Sequence, residues 1–368
     1  MGGASGGLLA SQVSLAGGFG FMVPVPGHNI AQWKEQLTIA RNAFSTANAT
    51  HKSISSPQIP QILPVGAGFL GWSMDAQLAS ASQSQQSQGT NPSNPFLQAA
   101  LDSRVRAIWL SFGSDLKKWI DVVRAHDEAA AEKHGQEGNR TLIFVQVNSV
   151  EEAVVAVKEW GVDVVSLQGI EAGGHGSATA PPLQSLLTST LSALSALPSP
   201  SSSTPLLAAG GLTHGSQIAP LLTLGASGAV LGTRFLASPA SLYSPAKKRA
   251  ILAAKGTESE RSFGFDWLQG RVGWPKGVDG RGLRIPAVDE LKKFESKGDA
   301  LAEGEKEEIR KKFQEAEKRG DEEGLVVWAG TGVGKVNEVV DAKDIVEELH
   351  RDIVASLRAS GSAIVSDV

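Results

Sequence analysis

Seven short apolar runs, separated by stretches that can form helices, most constrain what this chain can fold into. The runs are rich in Val, Ile, Leu and Phe and do not alternate with polar residues, a pattern typical of strands buried on both faces of a parallel sheet. They are Phe19–Met22, Gln61–Val65, Arg106–Phe112, Thr141–Val147, Asp163–Gln168, Pro205–Ala209 and Ser227–Gly232. The regular alternation predicts a parallel α/β fold, either a doubly wound sheet or a (β/α)8 TIM barrel.

The N-terminal stretch has the character of a loop and a helix that follow a strand. Leu8, Leu9, Val13 and Leu15 form an apolar helical face, and a pair of glycines ends it. Since a barrel of this type needs one strand more than the sequence contains, we expect a (β/α)8 barrel that lacks its first strand. Such a barrel would be open between its first and eighth positions and would expose two sheet edges. A fold with only seven strands stays open as the alternative.

Four further segments complete the predicted organisation. Ala76–Ser93 is rich in Ser, Gln and Asn and is predicted to be a surface loop. Ser185–Thr204 begins with a helix-compatible stretch and ends in SPSPSSST. Leu291–Glu323 is dominated by Lys and Glu, which predicts one or two solvated helices. Ala342–Ser360 has the apolar spacing of an amphipathic helix that packs on the body of the domain.

This pattern divides the chain into two parts. Residues 1–240 are predicted to form the barrel core, and residues 241–368 a C-terminal segment that packs on it. The charged helical insertion is expected at about residues 289–323 of the second part.

Composition excludes several classes of function. The net charge of −4 gives no basis for binding nucleic acid or an anionic membrane. The chain contains no cysteine, which rules out disulfides, thiolate metal sites and a cysteine nucleophile. No apolar run is long enough to span a bilayer, and no signal peptide is visible, so a cytoplasmic protein is expected. No HExxH or paired-histidine spacing occurs, and no metal is expected.

Two glycine motifs directly follow predicted strands. Gly210-Gly211 comes after the sixth run, and Gly232-Thr233 comes at the end of the seventh. Gly232 lies 22 positions after Gly210. In parallel α/β folds ligands bind beyond the carboxyl ends of the strands, and a phosphate site after the last two strands recurs in barrels. Glycines would let backbone N–H groups approach a phosphate, and Thr233 would add a hydroxyl. The alternative is that these glycines make tight turns.

The stretch LQGIEAGGHGSATA, Leu167–Ala180, holds the best candidate for acid–base chemistry. His175 lies in a loop too rich in glycine to be a packing element, on the face where ligands bind. Imidazole exchanges a proton near neutral pH, so His175 is a candidate base; a merely solvated loop histidine is the alternative. His214 could line the same mouth, although solvation is the simpler interpretation. Glu171 could equally orient a helix terminus.

These motifs together resemble the nitronate monooxygenase family, also called 2-nitropropane dioxygenases, whose members are FMN-dependent TIM barrels. The matching pieces are GGASGGLLASQVSLAGGFGFM, VQVNSVEEAVVAVKEWGVDVVSLQGIEAGGHG, AAGGLTHGSQIAPLLTLGASGAVLGTRF and, more loosely, VVWAGTGVGKV. The combination of QGxEAGGHG with GG and GTRF at this spacing is specific. It implies oxidation of a nitronate or nitroalkane with O₂ to a carbonyl compound and nitrite.

The resemblance also implies roles for individual residues. His175 matches the family's catalytic histidine. Gln168 and Gly173 would contact the isoalloxazine or ribityl part of FMN, with Gln146 at the ring edge and Gly174 beside them. The residues that would hold the FMN phosphate are Gly210, Gly211, Gly232 and Thr233.

The sequence departs from the family at two places, and two other functions stay open as alternatives. Family members have an apolar strand before the position of Met1, and many bacterial members carry Asn at the position of Gly66. An FMN-dependent reductase acting on enoyl-acyl carrier protein or on quinones with NAD(P)H would share the scaffold. A non-catalytic protein that binds a phosphorylated ligand is a third reading, from another class.

Overall fold

A parallel sheet forms the centre of the fold in the computed structural model, which describes residues 2–50, 62–84, 93–134, 140–199, 201–256, 258–271, 273–296 and 303–365. The strands in chain order are β1 (Phe21–Met22), β2 (Leu63–Leu70), β3 (Val105–Ser111), β4 (Leu142–Val147), β5 (Val164–Gln168), β6 (Gly174–Ser177), β7 (Leu206–Ala209), β8 (Gly228–Val230), β9 (Ser259–Ser262) and β10 (Val278–Leu283). Seven of them form one sheet in the order β1-β2-β3-β4-β5-β7-β8, and every neighbouring pair is parallel. The predicted parallel α/β barrel fold is confirmed, and each predicted run contributes a strand; Gln61 lies outside the described residues.

Helices of the described residues pack around the strands of both sheets. In chain order they are α1 (Gly7–Leu15), α2 (Ile30–Thr50), α3 (Gly71–Ser84), α4 (Pro95–Asp102), α5 (Lys117–His134), α6 (Val150–Lys158), α7 (Leu183–Ser195), α8 (Gly215–Thr223), α9 (Thr233–Leu236), α10 (Pro245–Ala253), α11 (Gly264–Leu268), α12 (Pro286–Ser296), α13 (Glu303–Arg319) and α14 (Ala342–Val365). Alternate strand residues such as Val65, Ile108 and Val145 are fully buried in one core that also includes helix residues such as Trp33. Burial of these strands against helices is the hydrophobic driving force of the fold.

The prediction of a loop over Ala76–Ser93 was wrong for its first half. Helix α3 extends to Ser84, while residues 85–92 lie outside the described residues. Polar composition misled the interpretation, because a helix on a protein surface needs few apolar residues. Here Met74 supplies buried contact with the core, and Asp75 accepts a hydrogen bond from Trp119 at 2.8 Å.

Strands β1 and β8 are the two edges of the parallel sheet within the described residues. The backbone of Ala4 and Ser5 lies between the chain segments that follow these edges. Ser5 O accepts a hydrogen bond from Val23 N at 3.2 Å, and Ala4 O accepts one from Leu242 N at 2.9 Å. The seven parallel strands thus form a barrel that is not closed by strand pairing among the described residues, and Ala4 and Ser5 link Val23, directly after β1, to Leu242, which follows α9.

A second, antiparallel sheet was not predicted. Its order is β6-β10-β9, and it pairs the loop that follows β5 with two antiparallel strands of the C-terminal segment. Its strands read GHGS, SERS and VDGRGL and contain no apolar run that would reveal them. They form because each supplies backbone partners to the others, a long-range effect that local pattern does not encode.

The C-terminal segment contributes its own packed groups. The Lys/Glu-rich stretch forms α12 and α13, and Ile309 and Phe313 of α13 are buried against Phe265 and Leu268 of α11. Ile345 and Leu349 of α14 join the main core. The boundary at residue 240 stays a prediction. Among the described residues, no helix combines the length and apolarity needed to cross a membrane.

Candidate active site

The side chain of Gln168 organises the end of β5. It is 8% exposed, and its Oε1 accepts hydrogen bonds from Gln146 Nε2 at 3.0 Å and from Asn148 Nδ2 at 2.9 Å. Its own Nε2 donates to the backbone oxygen of His175 at 3.1 Å. A buried carboxamide whose hydrogen bonds are satisfied holds the groups that it contacts in fixed positions. The network thus fixes the position of the histidine loop relative to β4 and β5; Asn148 was missed in the sequence.

The imidazole of His175 pairs with a buried carboxylate. Its Nε2 lies 2.9 Å from both carboxylate oxygens of Asp266 on α11, and the two side chains are 10% and 11% exposed. Because an ionised carboxylate can only accept, it holds the proton on Nε2 and leaves a lone pair on Nδ1. No described group hydrogen-bonds to Nδ1. Asp266 is therefore an orienting group that the sequence did not indicate.

Two indoles flank the imidazole. The ring of Trp274 stacks on His175 with centroids 3.6 Å apart and planes inclined by 10°. Trp328 contacts it with centroids at 4.7 Å and a tilt of 55°. These contacts and the Asp266 pair leave the imidazole little freedom, as a positioned acid–base group requires.

Two arginines of the antiparallel sheet donate hydrogen bonds to backbone oxygens of the histidine loop. Arg261 is paired with the buried carboxylate of Asp279 and donates through Nη2 to Gly176 O at 2.9 Å. Arg281 donates a hydrogen bond through Nη2 to Ile170 O at 3.2 Å. The pKa of Arg281 is lowered from its usual value, mainly by burial and secondly by the charge of Arg261. Sequence reasoning missed both, since they lie more than 80 positions from the loop and only the folded chain brings them there.

The predicted phosphate-binding glycines form an open backbone surface. Gly210 and Gly211 have φ values of +139° and +68°, which favour glycine. Among the described residues, the N–H groups of Gly210, Gly211 and Gly232 have no hydrogen-bond partner. Thr233 is buried, and its Oγ1 accepts from Gly330 N at 3.0 Å, so its hydroxyl proton is free to be donated. The motif therefore offers several unpaired donors at one place.

A segment from Trp328 to Lys335 crosses this surface. A Cβ on Gly173 would lie 2.4 Å from Gly330 N, and one on Gly211 would lie 2.6 Å from Thr331 Oγ1. Thr331 N also donates to Glu171 O at 3.0 Å. The glycines thus permit close passage of two chain segments as well as positive φ. Thr331 is a polar neighbour of Gly210 and Gly211. It lies within VVWAGTGVGKV, one of the pieces that resemble the family, but the sequence alone indicated no role for it.

The structure brings the predicted residues into one connected group. Gly210 approaches the backbone of Ala172, Thr233 reaches Gly330, and Gly173 packs on Gly330. Around Gly174, whose φ is +75°, the space that a side chain would occupy is open. Glu171 has the orienting role considered for it, because both its carboxylate oxygens accept from Leu183 N at the start of α7.

His214 lies elsewhere, against α14. Its Nδ1 is 3.7 Å from Asp352 Oδ2, and with Glu348 these groups place three possible metal ligands within 4.8 Å of one another. Glu348, however, already accepts a hydrogen bond from the buried Arg234 at 2.8 Å. A guanidinium at that distance competes with any cation, so we assign the cluster to ion pairing between α8 and α14.

Comparison with known proteins identifies the family. A family model described as nitronate monooxygenase matches residues 101–352. The chain belongs to the nitronate monooxygenase family. It is thus an oxidoreductase, and the family resemblance inferred from the loop motifs is confirmed.

Fungal relatives match nearly the whole chain. A nitronate monooxygenase from Neurospora crassa is 28% identical over 361 residues, which cover 94% of this chain and 85% of the relative. Nitronate monooxygenase npaC from Metarhizium robertsii is 30% identical over 358 residues, which cover 92% and 85%. The relatives therefore span both the barrel and the C-terminal segment.

Solved structures support the same fold. Nitroalkane oxidase from Streptomyces ansochromogenes is similar with a TM-score of 0.66 and 24% identity, covering 98% of this chain and 95% of that one. FabK from Thermotoga maritima is similar with a TM-score of 0.65 and 20% identity, covering 100% and 94%. At such identity the likeness establishes the architecture only.

Proposed function

We propose that this protein is an FMN-dependent enzyme that oxidises nitronates and nitroalkanes with O₂ to a carbonyl compound and nitrite. Membership in the nitronate monooxygenase family supports nitronate oxidation in general. The observation that carries the finer proposal is the pairing of His175 with Asp266, beside a glycine surface with unpaired N–H groups.

The residues at the glycine surface fit the phosphate end of FMN. The unpaired N–H groups of Gly210, Gly211 and Gly232 and the hydroxyl of Thr233 would donate to phosphate oxygens. A side chain at Gly211 would collide with Thr331, so only glycine lets this loop lie so close to the segment around Thr331. Charge neutralisation by a lysine is not needed where several backbone donors converge.

The ring end of FMN would lie near the carboxamides of β4 and β5. Gln168, Gly173 and Gly174 would contact the isoalloxazine or ribityl part, and Gln146 the ring edge. When bound, FMN supplies the two-electron acceptor for the substrate and the means of passing electrons to O₂. The protein's own contribution is binding, orientation and the handling of one proton.

His175 is the proposed base. Asp266 holds the proton on Nε2, so the Nδ1 lone pair can take the α-proton of a neutral nitroalkane. The positive charge that this transfer creates on the imidazole is then stabilised by the carboxylate at 2.9 Å. A nitronate has already lost this proton, so for that substrate the imidazole would only orient and stabilise the anion.

The test replaces the base without disturbing the fold. In His175→Asn we expect turnover of neutral nitroalkane to be lost, turnover of the matching nitronate to persist, and FMN absorbance of the purified protein to stay at the wild-type level. The exposed His350 on α14 supplies the control variant His350→Asn, which should behave as wild type. Unchanged nitroalkane turnover in His175→Asn would remove His175 from the mechanism.

Anaerobic mixing separates the proposed activity from a reductase on the same scaffold. Rapid loss of flavin colour on addition of NADH would favour a reductase, whereas loss of colour with nitronate and turnover in air favour the monooxygenase. A purified protein that has no flavin colour and cannot be reconstituted with FMN would overturn both.

A further inference from the structure

The indole of Trp274 covers one face of the imidazole of His175. The two ring centroids are 3.6 Å apart, and the ring planes are inclined by only 10°. In the contact between His175 and Trp328 the planes are inclined by 55°, so that indole does not lie parallel to the imidazole. Trp274 is therefore the residue whose π face lies directly against the ring that would accept the proton.

Two further aromatic rings contact Trp274. Trp72, at the start of α3, lies with its ring centroid at 5.1 Å, and Phe112, directly after β3, lies at 5.5 Å with its plane inclined by 83°. Phe112 has a φ of +54°, which a bulky residue rarely adopts, and its carbonyl oxygen accepts a hydrogen bond from Trp72 N at 2.9 Å. Strained backbone of this kind persists where the surroundings hold it and is common at functional sites. A series of ring contacts thus connects the carboxyl ends of β2 and β3 with the imidazole.

The backbone on both sides of Trp274 is restricted as well. Gly273 has a φ of +104°, and a Cβ there would lie 2.9 Å from the indole that contacts Trp274 from α3. Pro275 disfavours the helical conformation for the residue before it. The chain then enters β10, in which Gly280 pairs with His175 itself. The same antiparallel sheet therefore holds the indole and the imidazole relative to each other.

An indole face attracts a cation more strongly than it attracts a neutral ring. The π face of Trp carries partial negative charge, and a cation within about 6 Å of the ring centroid is stabilised by it, most strongly where water is excluded. The centroid distance of 3.6 Å lies well inside this limit, and the side chain of His175 is only 10% exposed. The contact therefore favours the charged imidazolium, which forms only when the proton is transferred.

We propose that Trp274 is a positioning residue of the acid–base step, whose π face stabilises the imidazolium that forms when His175 takes the α-proton of a nitroalkane. The proposal rests on the function proposed above, because that function makes His175 the base. In this step the C–H bond breaks, its electron pair stays on the substrate as the nitronate, and the proton goes to Nδ1 of His175. A nitronate brings no such proton, so its reaction creates no imidazolium for the indole to stabilise.

The test removes the indole while leaving His175 and Asp266 in place. Trp274→Leu substitutes an apolar side chain without a π face, and Trp274→Phe keeps a face that attracts cations less strongly than indole does. The measured quantity is kcat/KM for nitroethane divided by kcat/KM for ethyl nitronate. We expect this ratio to fall about fivefold to thirtyfold in Trp274→Leu, the range for a cation–π interaction out of water, and to fall less in Trp274→Phe.

Trp160→Leu supplies the matched control. Trp160 packs on the main core between α6 and β5, at the opposite end of β5 from the histidine loop, so its loss should leave the ratio at the wild-type value. A multiply fluorinated tryptophan placed at position 274 alone nearly keeps the shape of the indole but weakens the negative charge of its face. That protein should show a lower ratio at an unchanged melting temperature. An equal fall for both substrates in Trp274→Leu, or a wild-type ratio in the fluorinated protein, would overturn the proposal.

Hydrogen exchange at the substrate separates this inference from the proposed oxidation. Nitroethane is incubated with the FMN-loaded enzyme in D₂O without O₂, and NMR follows the replacement of its α-hydrogens by deuterium, which needs proton transfer but no turnover with O₂. Exchange that is lost in His175→Asn, reduced in Trp274→Leu and kept in Trp160→Leu supports the inference even where no oxidation is found. Normal oxidation with equal ratios in wild type and Trp274→Leu leaves the proposed function standing and overturns the role of Trp274. Exchange that persists in His175→Asn overturns the roles of both residues.

Discussion

Replacing Asp266 by Asn probes the pairing on which the proposed chemistry depends. The change preserves shape but removes the negative charge that both oxygens present to His175 Nε2 at 2.9 Å. The pair is nearly dry, with side chains 10% and 11% exposed, so water cannot replace the lost interaction. The Asn amide can also donate to Nε2, which would move the imidazole proton to Nδ1 and block the base.

The magnitude follows from the charged hydrogen bond that is lost. Such a bond contributes about 1.5–3 kcal/mol, and each 1.4 kcal/mol or so corresponds to a factor of ten. We therefore expect kcat/KM for a neutral nitroalkane to fall about 10- to 150-fold in Asp266→Asn. The matching nitronate should lose much less, because its reaction creates no new charge on the imidazole.

The assay measures both substrates under air at saturating O₂, with FMN content and melting temperature recorded for each preparation. The pair formed by the exposed Asp102 and the half-buried His126, at 3.9 Å, offers a control outside the site. Asp102→Asn removes a carboxylate beside a histidine outside the site and should change neither substrate's kcat/KM. The reasoning would be refuted by an unchanged nitroalkane rate in Asp266→Asn, or by an equal fall for both substrates.

Two further substitutions test the supports of the site. Arg261→Met leaves the buried carboxylate of Asp279 unpaired, and we expect chemical denaturation to show a free energy of unfolding lower by about 3–5 kcal/mol. In the control Arg284→Met, where the arginine side chain is 58% exposed, the free energy of unfolding should fall by less than about 1 kcal/mol. Similar losses in both variants would contradict the reasoning. Gly211→Ala should weaken FMN retention, because its Cβ would meet Thr331 Oγ1 at 2.6 Å, whereas Gly277→Ala has a similar φ but open space and should retain FMN. Equal retention by the two alanine variants would argue against the glycine surface as the phosphate site.

Aliphatic pattern and turn chemistry made the central sheet predictable. The seven runs rich in Val, Ile and Leu form parallel strands because strands of this kind are buried on both faces, and short αβ connections place them side by side. The glycines at 210, 211 and 232 could be assigned to one place for the same reason: the carboxyl ends of neighbouring strands meet at one edge of the sheet. His175 followed from its position in such a loop.

Tertiary structure alone decided what surrounds the histidine. Asp266 lies 91 positions away and carries no local signal, and the indole of Trp274 is likewise contributed by a distant loop. The antiparallel strands β6, β9 and β10 have no periodic apolar pattern, because backbone pairing and buried arginines hold them together. Local pattern records which residues must be buried, and it therefore determined the sheet and the loops at its edge. Pairing between polar groups depends on which chain segments meet, and only the folded chain determined that.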